Sequence, residues 1–129
     1  DFASLKPDEA DPFTQASSDG RGFAVSGGVA KAVVNCIKAK EPEREVLVES
    51  AEGLANCKKM LKLAKSGKYD GYLLEGMACP GGCVAGAGTL LPITRATTAV
   101  KKYTNSSDKL NANDSKYKDY LERLIEEYK

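Results

Sequence analysis

No histidine occurs among the 129 residues of this chain. Imidazole acid–base catalysis and histidine-ligated metals are therefore excluded within it. An excess of charge of one sign is also lacking. Lysine and arginine number 19 against 18 aspartates and glutamates, for a formal net charge of +1. Such a balance builds no strong field to draw in nucleic acid or an anionic membrane surface, and neither is expected as a partner. No apolar run approaches the roughly 20 residues of a membrane-spanning helix. The acidic start, Asp1-Phe2-Ala3-Ser4, has none of the basic-then-apolar pattern of a secretory leader. Cysteine is sparse at four residues, unlike a disulfide-dense secreted scaffold. A reducing, cytoplasmic setting is the expectation. The length suits one domain with a modest core.

What is present concentrates in one stretch, Met77-Ala78-Cys79-Pro80-Gly81-Gly82-Cys83-Val84-Ala85-Gly86-Ala87-Gly88. Two cysteines bracket a proline and two glycines, and two more glycines follow at 86 and 88. Glycine lets backbone pass close to a bulky group and adopt positive φ, while proline stiffens the turn. A loop of this kind can turn two thiolates and several backbone N–H groups toward one soft, anionic object. An iron–sulfur cluster fits that description, since thiolates are its usual ligands and N–H groups near its sulfurs tune its potential. The spacing alone also fits a zinc site, a disulfide or an ordinary glycine-rich turn.

The rest of the chain places that loop. Residues 1–21 are rich in loop formers, among them Pro7, Asp11, Pro12, Ser17, Ser18 and Gly20. They read as an irregular linker, with Phe2, Leu5 and Phe13 as anchors. Gly27-Gly28 opens a helix to about Ala39, with Val29, Val33, Cys36 and Ile37 on one face. A strand is expected near Glu45–Ser50, a helix from Gly53 to about Lys65, and a second strand over Tyr69–Gly76. Cys36 and Cys57 both fall in apolar helical stripes and read as small core residues. Lys58, Lys59, Lys62 and Lys65 read as a solvated face. Strand, crossover helix and strand make a unit long enough for parallel pairing. The fold class is therefore α/β, a parallel β-α-β core flanked by helices. The cysteine loop, about 77–88, leaves the carboxyl end of the second strand, where open α/β sheets place their ligands. Pro92 starts a helix over about 92–103, and Thr104–Asn113 reads as a polar loop. A last helix over about 115–128 is capped by Asp114 or Ser115. Its stripe of Tyr117, Tyr120, Leu121, Leu124, Ile125 and Tyr128 is a packing face that could support self-association.

The residues around the loop also carry a resemblance. Glu75-Gly76-Met77-Ala78-Cys79-Pro80-Gly81-Gly82-Cys83 resembles the last signature of the iron-only ([FeFe]) hydrogenases, E-x-M-A-C-x-x-G-C-x-x-G-x-G. Glu75, Met77, Ala78, Cys79, Gly82, Cys83, Gly86 and Gly88 all match. The flanks are similar as well: Gly20-Arg21-Gly22-Phe23-Ala24 followed by Ser26-Gly27-Gly28-Val29, and later Gly53-Leu54-Ala55-Asn56. The likeness runs from about residue 20 to about residue 92. Thr89-Leu90-Leu91-Pro92 and Ala87 depart from the usual pattern and point to a divergent branch.

The resemblance implies an H-cluster, a [4Fe-4S] cubane joined to a two-iron subsite, and reversible reduction of protons to H2. By residue match, Cys79 ligates the cubane and Cys83 bridges cubane and subsite. Met77 packs near the subsite, and Gly82, Gly86 and Gly88 line the cofactor. That cluster takes four cysteines from three signatures, and no T-S-C-C-P-like or M-P-C-x-x-K-like segment occurs here. The expectation is therefore a partial lobe of the hydrogenase domain: 1–21 as the link from a missing N-terminal part, and 22–129 as the C-terminal lobe. Its partners would be the remainder of the hydrogenase chain with the other two cysteines and a ferredoxin-type electron carrier. The isolated fragment is expected to bind no cluster and to be inactive. The alternative is a hydrogenase-like iron–sulfur assembly protein that makes no hydrogen.

Overall fold

A short parallel ladder sets the frame. The computed structural model describes Ser4, residues 16–115 and residues 117–128. Strand β1 (Val48–Glu52) pairs in parallel with β2 (Leu73–Met77), in a register that runs from Val48 opposite Leu73 to Glu52 opposite Met77. Helix α3 (Leu54–Lys65) makes the crossover between them. The β-α-β core expected from the sequence is present, so the protein is α/β, with helices α1 (Ser18–Arg21), α2 (Gly28–Lys40), α4 (Ile93–Asn105) and α5 (Lys118–Glu127) around it.

Both strands begin later than their apolar runs suggested. The Tyr72 N–H bonds the Tyr69 carbonyl at 3.1 Å, and Gly71 takes a φ of 79°. Residues 69–72 are thus used by a turn, so extended backbone begins only at Leu73. On the other side Leu47 contributes its carbonyl to Leu73 N–H, but Glu45 and Val46 lie outside the ladder. Gly53, at a φ of 78°, turns the chain from β1 straight into α3.

Helix α2 starts in an unusual way. Its N-cap position is Gly27, at a φ of 85° and with no side chain to cap the first turn. The cap comes instead from Glu75 on β2. Its carboxylate accepts from the backbone N–H groups of Gly27 at 2.6 Å, Val29 at 3.1 Å and Ala30 at 3.0 Å. The Ser50 hydroxyl donates to the same group at 3.4 Å. Glu75 is only 7% exposed. A buried carboxylate is tolerable here because helix N-terminal donors and the helix dipole satisfy it together. Gly28 is the tightest point of the helix start: a Cβ there would lie 2.1 Å from the Gly22 carbonyl oxygen.

Three departures concern the ends. Residues 18–21 were expected to be irregular, yet Ser18–Arg21 forms a helical turn, capped by Ser17 Oγ accepting from Gly20 N–H at 3.2 Å. Arg21 then ties that turn to α4, donating to the carbonyls of Ala16 and Tyr103 and to Ser106 Oγ, and lying 4.3 Å from the Tyr103 ring centre. Helix α4 runs two residues beyond Tyr103, and α5 begins at Lys118 rather than 115. The delay at α5 follows from Asp114, which caps a different element. Its carboxylate accepts from Leu110 and Asn111 N–H at the start of a 3₁₀ turn over Ala112–Asp114. Ser115 Oγ accepts from Tyr117 N–H at 3.2 Å just ahead of the helix. The expected anchors Phe2, Leu5 and Phe13 lie outside the described residues.

The interior is thin. Among the described residues the buried apolar side chains are Ala30, Ala32, Met60 and Val84. Many large apolar side chains face outward, Leu54 at 74%, Leu90 at 97% and Tyr128 at 86% exposure among them. With so small a core, the Glu75 cap weighs heavily in stability. Glu75→Ala is expected to cost about 3 kcal/mol in urea unfolding, because it takes the acceptor from three N–H groups at the start of α2. Glu75→Gln, which still accepts hydrogen bonds, should lose about half as much.

Candidate functional site

The loop after β2 is built from backbone turns, and each turn depends on a glycine. Gly82 N–H bonds the Cys79 carbonyl at 2.9 Å, closing the first turn. A 3₁₀ turn over Cys83–Ala85 follows, with Ala85 N–H on the Gly82 carbonyl at 3.0 Å and Gly86 N–H on the Cys83 carbonyl at 3.0 Å. Gly81 and Gly82 adopt φ values of 91° and 92°. That region favours glycine over any residue with a Cβ.

Gly82 is also pressed against the chain that leads into α2. A Cβ there would sit 2.6 Å from the Ser26 nitrogen and 2.8 Å from the Ala24 carbonyl oxygen. Both sides of the Gly81 residue are held. Its carbonyl accepts from Ser26 N–H at 3.1 Å, and its own N–H donates to the Glu52 carboxylate at 3.0 Å. Val84, in the 3₁₀ turn, is buried and anchors the middle of the loop. Ile93 closes the far side: its Cγ2 lies 3.2 Å from where a Gly81 Cβ would stand.

This framework presents two free thiols. Cys79 is half-buried and Cys83 exposed. Gly86 leaves room beside the first of them, since a Cβ at that position would lie 3.9 Å from Cys79 Sγ. Gly88 has positive φ, at 94°, with open space around it. Met77, at the end of β2, is half-buried and pairs with Glu52 across the sheet. Among the described residues, no group of three or more histidine, cysteine, aspartate or glutamate side chains converges. A closed four-ligand zinc site is therefore not formed by them. The donor set is two sulfurs on a glycine-opened loop. Thiolates are the usual ligands of an iron–sulfur cluster, so the chemistry of this donor set suits such a group.

The other two cysteines sit apart from this arrangement. Cys57 is half-buried under the sheet, its thiol 3.5 Å from the Ala51 carbonyl oxygen and 3.6 Å from that of Met77. Gly76 makes room for it, since a Cβ there would stand 3.3 Å from the Cys57 sulfur. Cys36 lies on α2 among Phe23, Ala32, Val33 and Ile37. Both lie on their helices' apolar stripes as expected, but they are half-buried rather than in the core. Two contributors to the loop were not read from the sequence, Glu52 and Ser26. A carboxylate at the carboxyl end of a parallel strand, directly before Gly53, was the available signal for the first. Ser26 acts through its backbone and left none.

Comparison with known proteins adds a decisive point. Residues 1–87 match the family described as the iron only hydrogenase large subunit, C-terminal domain. The chain belongs to that family. The matched span holds Cys79, Cys83 and Gly86 and stops one residue short of Gly88. The chain is also similar to the NADP-reducing hydrogenase subunit HndD of Solidesulfovibrio fructosivorans, with 39% identity over 51 residues. That stretch is 40% of this chain and 8% of that relative, so the chain spans a small part of the hydrogenase subunit it matches.

The close approach at Gly82 makes a direct test of the hydrogenase loop. Gly82→Ala is expected to lower stability by about 2 kcal/mol, from strained φ and contact with Ser26. Ala85→Gly, a step away on the same 3₁₀ turn, should cost about 1 kcal/mol at most. Thermal unfolding followed by circular dichroism reads both. Equal effects from the two substitutions would show that the tight contact at Gly82 carries no special weight.

Proposed function

We propose that this chain supplies two of the four cysteine ligands of the H-cluster in an iron-only hydrogenase. The observation that carries the reading is the pair of free thiols on a glycine-framed loop at the carboxyl end of a parallel sheet, in a chain of the hydrogenase family. When bound, the cluster supplies the electron chemistry that interconverts protons and H2. The chain's own part is to hold and surround it. Cys79 would hold the cubane, and Cys83 would hold both the cubane and the two-iron subsite. Met77 packs near that subsite. Gly82, Gly86 and Gly88 let backbone come close where a side chain would intrude. Glu75 takes no part in the chemistry; it fixes the strand from which the loop departs.

The remaining two thiolates come from the rest of the hydrogenase polypeptide, with residues 1–21 as the link and 22–129 as the C-terminal lobe. The exposed apolar side chains of this lobe face that remainder, and in its absence they favour self-association. A ferredoxin-type carrier delivers electrons. No helix among the described residues is long and apolar enough to cross a membrane, and a cytoplasmic setting suits oxygen-sensitive thiolate ligation.

Anaerobic reconstitution with iron and sulfide tests this reading. The chain alone should fold without iron, evolve no hydrogen from a reduced viologen, and retain little acid-labile sulfide. Combined with the preceding hydrogenase segments, it should retain iron, and Cys79→Ser/Cys83→Ser should lower that retention at least about tenfold. Iron held equally well by the double variant would overturn the ligand assignment. Stable, cysteine-dependent cubane on the chain alone, without hydrogen evolution, would instead favour an iron–sulfur assembly role.

A further inference from the structure

Between the two proposed ligands lies one peptide whose N–H is neither free nor used in a backbone turn. It belongs to Gly81, and it donates at 3.0 Å to a carboxylate oxygen of Glu52, 29 residues earlier in the chain. Glu52 is itself fixed at its backbone. It closes the parallel ladder opposite Met77, and its carbonyl accepts from the Asn56 side-chain amide at 2.8 Å. The next residue, Gly53, donates its N–H to the Met77 carbonyl at 2.8 Å. The Glu52 side chain therefore extends from a rigid strand end toward a loop built of glycine turns. On the opposite side of the same residue, Ser26 N–H takes the Gly81 carbonyl at 3.1 Å. Gly81 is thus clamped by two separate elements, one charged and one backbone.

We propose that Glu52 is a positioning residue for the cysteine loop, holding the Gly81 peptide so that the Cys79 and Cys83 thiols keep a fixed relation to each other. The physical case rests on what glycine costs. Gly81 and Gly82 at φ values near 91° and 92° are conformationally free in a way no other pair in the loop is. Without a tether, such a segment samples several turn geometries, and each carries the flanking thiols to a different place. A charge-assisted hydrogen bond from a carboxylate to a backbone N–H is about twice as strong as a neutral one. Glu52 is exposed, which weakens the charge but leaves the bond. No other carboxylate is recorded within hydrogen-bond reach of a backbone N–H of the cysteine loop among the described residues. The inference rests on the reading of Cys79 and Cys83 as cluster ligands for its functional meaning, but the latch itself is a property of the chain without metal.

Three readouts on the full chain decide it: exchange of the Gly81 amide by NMR, site-resolved iodoacetamide labelling of all four cysteines by mass spectrometry, and thermal stability. In Glu52→Ala, Gly81 exchange should accelerate at least about tenfold. Labelling rates at Cys79 and Cys83 should change by roughly threefold or more, as the thiols leave their fixed geometry. Cys36, half-buried on α2, should label at the wild-type rate, and Cys57, whose thiol lies 3.6 Å from the Met77 carbonyl where the loop begins, should change less than Cys79 and Cys83. Glu52→Gln keeps an acceptor oxygen without the charge, and should return Gly81 exchange and both loop thiols to within about twofold of wild type. Unchanged Gly81 exchange in Glu52→Ala would overturn the proposal. So would parallel rises at all four cysteines, which would mean general loosening, and so would a glutamine variant that behaves like the alanine one. If iron retention fails while these rates behave as stated, the latch stands and the ligand reading falls.

Discussion

The buried carboxylate of Glu75 joins strand β2 to the start of helix α2. Glu75 belongs to β2, but three of its hydrogen bonds belong to the start of α2: Val29 and Ala30 N–H are the groups that a serine or aspartate at the N-cap would normally serve, and the N–H of the N-cap residue Gly27 is the one that a glutamate in the first turn would serve. Glycine at position 27 leaves that duty open, and the strand fulfils it from 48 residues away. The arrangement works in both directions. The helix gains a cap and a counter-charge for its dipole, while the strand gains an attachment that fixes its height against α2. A charge this well satisfied is affordable only because every partner is a donor.

The position of the cysteine loop follows from that joint. Two residues after Glu75 the strand ends at Met77, and two further on stands Cys79. On the helix side, the segment that feeds α2 is the same one that meets the loop: Ser26 bonds Gly81, and Ala24 and Ser26 lie where a Gly82 side chain would be. One capped helix start therefore braces both the strand before the loop and the loop itself. The glycines are needed because three backbone segments converge within a few ångströms, leaving no room for a Cβ at 28 or 82. At Gly86 a Cβ would stand 3.2 Å from the Cys83 carbonyl oxygen and 3.9 Å from the Cys79 sulfur, whereas Gly88 has open space around it and is set by its positive φ, so the same residue type does two kinds of work in one loop.

Much of this was legible in the residues, and the gaps have identifiable causes. Helices α2, α3 and α4 were placed within about two residues because each has an apolar stripe and a glycine or proline at its start. Both strands were set too early because Val46 and Tyr72 look like strand residues, while the turn at Gly71 and the absence of partners before Leu47 are tertiary facts. Asp114 was read as a cap, which it is, but for the 3₁₀ turn before α5 rather than for α5. The cysteine pair stood out by chemistry and by likeness to hydrogenases. The Glu52 contact did not, because a bond between a side chain and a backbone N–H 29 residues away leaves no local pattern.

Under the proposed function, the few buried apolar side chains among the described residues and the pair of loop cysteines have one physical explanation. A four-thiolate cluster drawn from separate chain segments sits where those segments meet, so each segment presents its ligands on a face rather than in an enclosed pocket. Such a face is apolar, because the cluster environment must exclude water, and it remains uncovered when one side is viewed alone. Leu54 and Leu90, both largely exposed, leave β1 and the cysteine loop directly at their ends. Small buried alanines, a carboxylate used as a structural cap, a half-buried thiol at Cys79 and an exposed one at Cys83 are then parts of one arrangement: the loop is braced from the sheet and from the lead into α2, and large apolar side chains stand exposed at the end of β1 and just after the loop.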